Sequence, residues 1–187
     1  MRDAIQNFDW HTVQTLVNYG HQYHWFKEGA FFCAQILIFF FVLVLLYLWY
    51  AAQPVSYHHS NKKAVMLALV SLIFAVALKM IIAMIYFRAR PFVTHPDLMV
   101  VVSNLDPQSF PSGHALVSAT ITASLWLSGM RKLGFWLAII TLFVAFGRVA
   151  IGVHYPTDVL GGIVLGILSA WALHHESSSI KKYLPNT

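Results

Sequence analysis

Five runs of almost wholly apolar residues, at 30–52, 63–87, 114–130, 133–152 and 158–174, divide the chain, separated by polar stretches at 53–62, 88–113, 131–132 and 153–157. A helix needs about 20 mostly apolar residues to cross the hydrocarbon core of a bilayer. The pattern therefore predicts an all-α, integral-membrane bundle of five transmembrane helices. No internal repeat or low-complexity linker interrupts it, so residues 1–187 read as one domain. Residues 1–28 are too polar to span. Ile5, Phe8, Val13, Leu16 and Val17 fall near helical spacing there, with Trp10, Tyr19, Tyr23 and Trp25 interleaved. That pattern predicts a helix lying in the membrane interface as a peripheral anchor. The segment lacks the charged start and short apolar core of a cleaved signal peptide.

Composition narrows the class. Of the 187 residues, 58% are hydrophobic and only 10% charged, whereas soluble proteins carry roughly 25% charged residues. An ordinary soluble enzyme and a disordered chain are both excluded. The net charge is +5, but the basic residues are scattered without a run of five or more, which argues against nucleic acid as a partner. Five spans place Lys62, Lys63, Arg131, Lys132, Lys181 and Lys182 on one side, and Arg2, Lys27, Arg88 and Arg90 on the other. By the positive-inside rule the first side is cytoplasmic, which leaves the N-terminus and loop 88–113 extracytoplasmic. Cys33 is the only cysteine, so an intrachain disulfide is impossible. Among ten histidines, His58, His59, His174 and His175 sit at the ends of apolar runs, where interfacial solvation accounts for them.

His114 and His154 belong to a different pattern. Three segments near the outer face stand out: Arg90-Pro91, the run Pro111-Ser112-Gly113-His114, and Gly147-Arg148 followed by His154 and Asp158. In this order and spacing they resemble the signature of the type 2 phosphatidic acid phosphatase superfamily, K-x6-R-P, then P-S-G-H, then S-R-x5-H-x3-D. The resemblance runs from Lys79 to Asp158 and implies a six-helix core and metal-independent phosphate ester hydrolysis without a cofactor. The residue chemistry agrees. Phosphoryl transfer asks chiefly for positioned positive charge and hydrogen-bond donors around the nonbridging oxygens. Arg90 and Arg148 supply guanidinium forks, while Ser112 and the Gly113 N–H at a helix start add donors aimed at an anion. Snorkelling to headgroups suits Arg88 but not Arg148, which lies inside an apolar helix. His154 is expected to be the nucleophile, forming a phosphohistidine. Asp158, at i+4, is expected to hold its tautomer, and His114 to act as general acid. Asp158, Gly162, Gly166 and Ala170 recur every four residues, which predicts a close-packed face that turns Asp158 inward. The seven carboxylates form no cluster of the kind Mg²⁺ or Ca²⁺ prefers.

The match departs from the family pattern in three places. Ala83 stands where the family has lysine, and either Lys79 or Arg88 is expected to supply that phosphate-binding cation. A mid-helix lysine costs about 2.5–3.5 kcal/mol on insertion scales, so Lys79 is expected to have a polar partner or a function. Gly147 replaces the serine of the third motif. Five spans fall one short of six helices, and the N-terminal segment is the candidate for the sixth. The expected function is hydrolysis of a membrane lipid phosphate at the outer face of the cell (inner) membrane, with loop 88–113 helping to select the headgroup. Resemblance to bacterial undecaprenyl-pyrophosphate phosphatases implies that lipid as substrate. Phosphatidylglycerophosphate, phosphatidic acid and lipid A phosphates are the alternatives. A non-catalytic transporter or lipid-binding protein, using the same buried charges as an ion path, is the rival from another class.

Overall fold

The computed structural model describes residues 2–50, 55–98 and 106–183. The side chains of Arg2, His58, His59, Lys181 and Lys182, and residues 99–105 of the long loop, lie outside those described. The elements are α1 (Arg2–Gln22), α2 (His24–Phe31), a π-helical turn (Phe32–Ile36), α3 (Leu37–Tyr50), α4 (Val55–Ile85), the short α5 (Pro91–Thr94), α6 (Gly113–Leu127), α7 (Arg131–Ala150) and α8 (Pro156–Tyr183). Among the described residues, four stretches are long and apolar enough to cross a membrane: His24–Tyr50, Asn61–Ile85, Arg131–Ala150 and Pro156–Glu176. The fifth apolar helix, α6, has 15 residues. Among the described residues the bundle is helical, with four long apolar stretches and the shorter α6 where the pattern predicts five apolar helices.

α6 is the central helix, packed against α8, α7 and α4. Its contact with α8 is close because the facing positions are small. A Cβ on Gly162 would lie 2.5 Å from Ser112 O, and one on Gly166 would lie 2.7 Å from Leu116 O. The four-residue repeat from Asp158 to Ala170 thus lies against the α6 backbone. In the other half of the bundle, Phe41, Leu45, Ala68, Ile121, Leu125 and Leu137 interlock α3, α4, α6 and α7. Between helices in lipid such side chains contribute through close van der Waals packing, since the surrounding tails are as apolar as the core.

The N-terminal segment is helical, as its pattern predicts, and it is also packed on the bundle. The break falls at Tyr23, and residues from His24 onward belong to the first spanning stretch. α1 packs on α2, α7 and α8. It buries Val13 and Val17 against Ala145, Val149 and Val159, and its Trp10 ring stacks on His95 with centroids 3.4 Å apart. Ile5 and Phe8 remain exposed. α1 also buries a charge, Asp9, which pairs with Arg88.

Candidate active site

The turn between α7 and α8 places the third motif. α7 ends where Gly152 takes a positive φ of 75°, a conformation that glycine adopts without the steric cost of a Cβ. The chain then folds back so that the N–H groups of Val153 and His154 both donate to Arg148 O at 3.3 Å. Arg148 and His154 are fixed to one another by backbone.

The two ends of the long loop are clipped together. Ala89 and Gln108 form an antiparallel bridge. Arg90 N–H donates to Pro107 O at 3.1 Å, and Ser109 N–H donates to Arg88 O at 2.7 Å. The Gln108 side chain accepts from Arg88 N–H and donates to Tyr86 O and Phe110 O. Ser112 is extended, so α6 starts at Gly113 with its first N–H groups free to meet a ligand. Ser112 N–H donates to Asp158 O at 3.0 Å, which joins the second motif to the third.

His154 lies at the centre, 2% exposed. Its Nε2 is 3.2 Å from Arg90 Nη1, and Arg90 is tethered by hydrogen bonds to Asp106 O and Val153 O. An arginine only donates, so Nε2 carries a lone pair and the ring proton sits on Nδ1. That nitrogen faces Ser109 Oγ at 3.4 Å. The Ser109 hydroxyl in turn donates to Asp158 Oδ2 at 2.5 Å. The direct distance from Nδ1 to Asp158 Oδ2 is 3.9 Å, beyond hydrogen-bond range. Asp158 thus reaches the imidazole through Ser109, a residue the sequence motifs do not single out. Burial pushes the His154 pKa down to about 4; Asp158 opposes that shift, while the charges of Arg90 and Arg148 add to it. The ring is neutral at physiological pH.

The remaining motif residues lie on the neighbouring elements. His114, on the first turn of α6, lies within electrostatic reach of Arg148, His154 and Arg90. Arg148 is 2% exposed and donates one long hydrogen bond, 3.5 Å, to Ala34 O in the π-helical turn. Its Nε and the buried Ser112 Oγ have no hydrogen-bond partner among the described residues. A buried guanidinium so poorly satisfied is costly on its own and fits an anion. Lys79 extends from α4 to Gly113, where a Cβ would lie 3.5 Å from its Cε and 3.9 Å from its Nζ.

Arg88 is placed otherwise than the phosphate-binding expectation. Its Nη2 bonds Asp9 Oδ2 at 2.6 Å, and its Nη1 bonds Asp158 Oδ1 at 2.7 Å. Its guanidinium lies 4.2 Å from the centre of the Tyr155 ring. Burial works against the charge, but Asp9 and Asp158 more than offset it and leave the Arg88 pKa above its ordinary value. Between the two candidates, Lys79 is the cation beside the second motif, and Arg88 is committed to carboxylates. Gly147 also has a local cause. A Cβ there would lie 2.6 Å from Ala34 N and 2.8 Å from Ala30 O, so the close approach of α2 and the π-helical turn excludes the family's serine.

A membrane-embedded helical bundle with two arginines, two histidines and a helix N-terminus gathered at one end is the architecture of a lipid phosphatase. The pattern that describes the PAP2 superfamily matches residues 64–180, and the chain belongs to that superfamily. It is a phosphoric ester or anhydride hydrolase acting on a lipid phosphate. Undecaprenyl-diphosphatase BcrC of Bacillus subtilis is 29% identical over 153 residues, which are 82% of this chain and 76% of that protein. Two solved structures share the fold. A PAP2-type phosphatidylglycerolphosphate phosphatase from Bacillus subtilis matches with a TM-score of 0.61 and 23% identity, covering 97% of this chain and 90% of that one. Aquifex aeolicus LpxE matches with a TM-score of 0.62 and 21% identity, covering 80% of this chain and 82% of that one.

Proposed function

We propose that this phosphatase converts undecaprenyl pyrophosphate to undecaprenyl phosphate at the outer face of the cell membrane, through a phosphohistidine on His154 and without a metal ion. The observation that carries the mechanism is the two-sided environment of His154, with Nδ1 facing Ser109 and Asp158 and Nε2 facing Arg90. Nε2 attacks the terminal phosphorus, the bond from phosphorus to the bridging oxygen breaks, and His114 gives that oxygen a proton. Arg90, Arg148, Lys79, Ser112 Oγ and the Gly113 N–H hold the nonbridging oxygens. In the second half His114 takes a proton from water, which attacks phosphorus and breaks the P–N bond, returning His154 to its neutral form. The donor set suits this route better than a metal. Asp9 and Asp158 are both ion-paired with Arg88, and the described residues contain no group of three His, Cys, Asp or Glu side chains able to hold a metal ion.

Two features support a long-chain lipid diphosphate. The first is the name of the BcrC relative. The second is an apolar cavity of about 380 Å³ between α3, α4 and α6, lined by Phe41, Leu45, Leu69, Leu72, Val117 and Ile121. Val117 and Ile121 lie one and two turns beyond His114, and Leu72 lies two turns from Lys79. The cavity thus lies deeper in the bundle, on helix faces shared with His114 and Lys79. The orientation rests on the positive-inside rule, with Lys62, Lys63, Arg131 and Lys132 at the end opposite His154. The test is phosphate release in detergent with EDTA present, comparing undecaprenyl pyrophosphate with phosphatidylglycerophosphate and phosphatidic acid. Preference for the diphosphate by at least about tenfold in kcat/KM is expected, and equal rates overturn the substrate assignment. Loss of activity in EDTA overturns the metal-free route.

A further inference from the structure

We infer that Asp9, on the N-terminal helix, is a positioning residue for the reaction, acting through Arg88 on Asp158 and hence on the His154 imidazole. The inference rests on the proposed role of His154. Asp9 has no solvent exposure. It accepts from Arg88 Nη2 at 2.6 Å, from Thr157 N–H at 3.1 Å and from the Thr157 hydroxyl at 2.5 Å. Arg88 Nη1 also donates to Thr157 Oγ1 at 2.6 Å. Thr157 is the second residue of α8 and the neighbour of Asp158. Asp9 therefore satisfies a free N–H at the start of α8, the helix that carries Asp158. Docking α1 by Val13 and Val17 alone would need no buried charge, so the carboxylate calls for its own account.

Charge balance supplies one. Asp158 divides its oxygens, with Oδ1 taking Arg88 and Oδ2 taking the Ser109 hydroxyl and Tyr155 N–H. An arginine paired with Asp158 alone at 2.7 Å would cancel the field that His154 needs when its ring becomes cationic. Asp9 takes the other arm of the same guanidinium. The three groups together keep one net negative charge, and Arg88 is fixed from both ends. The line runs from Asp9 through Arg88, Asp158 and Ser109 to His154, across residues that are far apart in the chain.

The test uses the full-length enzyme with undecaprenyl pyrophosphate in detergent. Asp9→Asn keeps the shape and an acceptor for Thr157 while removing the charge. It is expected to lower kcat about tenfold or more and leave KM within about twofold, with Asp9→Glu recovering at least half of the loss. Arg88→Lys, whose single ammonium cannot fork to two carboxylates, is the second variant and is expected to show the same split. Unchanged kcat in folded Asp9→Asn, or a loss carried by KM, overturns the inference. His154→Ala measured alongside separates the two levels. If it remains active the nucleophile assignment fails, and if it is inactive while Asp9→Asn is unaffected only the role of Asp9 fails.

Discussion

Ser109→Ala isolates the connection between the carboxylate and the nucleophile. The substitution removes one buried oxygen and leaves the backbone hydrogen bond from Ser109 N–H to Arg88 O available. Without the hydroxyl, His154 Nδ1 faces Asp158 Oδ2 across 3.9 Å, too far for a hydrogen bond. Asp158 keeps Arg88 and Tyr155 N–H, so the carboxylate stays paired and the fold is expected to persist. The imidazole loses the partner that fixes its tautomer and relays negative charge as phosphorus is transferred. A hydrogen bond to a charged group contributes about 1.5–3 kcal/mol, which corresponds to a fall in kcat of roughly tenfold to 150-fold at 1.36 kcal/mol per factor of ten. The assay is steady-state phosphate release from undecaprenyl pyrophosphate in detergent, with thermal unfolding of the same preparations. KM is expected to change little, because Ser109 sits behind the ring. A folded Ser109→Ala enzyme with kcat within twofold of wild type would refute the relay.

Three further outcomes follow from the geometry. Arg88→Met leaves Asp9 and Asp158 buried without their cation and is expected to destabilise the protein by about 3–5 kcal/mol, read in thermal or denaturant unfolding; an unchanged midpoint contradicts the ion-pair assignment. Gly162→Ala puts a Cβ 2.5 Å from Ser112 O, so α6 and α8 must part by about 0.9 Å to reach ordinary contact at 3.4 Å. Overpacking of this kind costs about 1–3 kcal/mol, and a displacement near 1 Å beside the chemistry costs about 10²-fold in rate; wild-type kcat and unfolding together contradict it. The buried His154, with its pKa held near 4 against the ordinary 6.5, takes up its proton mainly on unfolding. Its contribution to stability is fully present above pH 6.5 and is lost as pH falls through 4. The difference in Tm between wild type and His154→Gln should therefore narrow across that window, and a flat difference contradicts the burial argument.

The sequence and the structure agree where one kind of signal is strong and local. The five apolar runs gave the five apolar helices because lipid demands length and hydrophobicity in continuous stretches, and the three motifs meet because each lies at a helix end facing the same side. What escaped the sequence depends on pairing between distant residues. Asp9 reads as one more polar residue on an amphipathic helix; its burial follows only from Arg88, 79 residues away. Ser109 lies just ahead of the Pro-Ser-Gly-His run with nothing in its spacing to connect it with His154, 45 residues on. The choice between Lys79 and Arg88 needed the direction of each side chain, and the loop clip that turns Arg88 toward Asp158 leaves no periodic trace. Gly147 departs from the family's serine with no sign of why in the sequence, and the backbone of Ala30 and Ala34 supplies the packing reason.

The central claim is that phosphate passes through His154. Undecaprenyl pyrophosphate carrying ³²P in its terminal phosphate, reacted with the His114→Ala enzyme and quenched under alkaline denaturing conditions, tests it directly. That variant retains the nucleophile and lacks the proton-transfer group of both half-reactions; the phosphate monoester leaving group departs with little need of a proton, so the loss falls mainly on activation of water and the intermediate accumulates. The account predicts an alkali-stable, acid-labile label on the peptide containing His154, and no label when His154→Ala is added. Turnover by the wild type with no labelled histidine under any quench, or label on another residue, would contradict it.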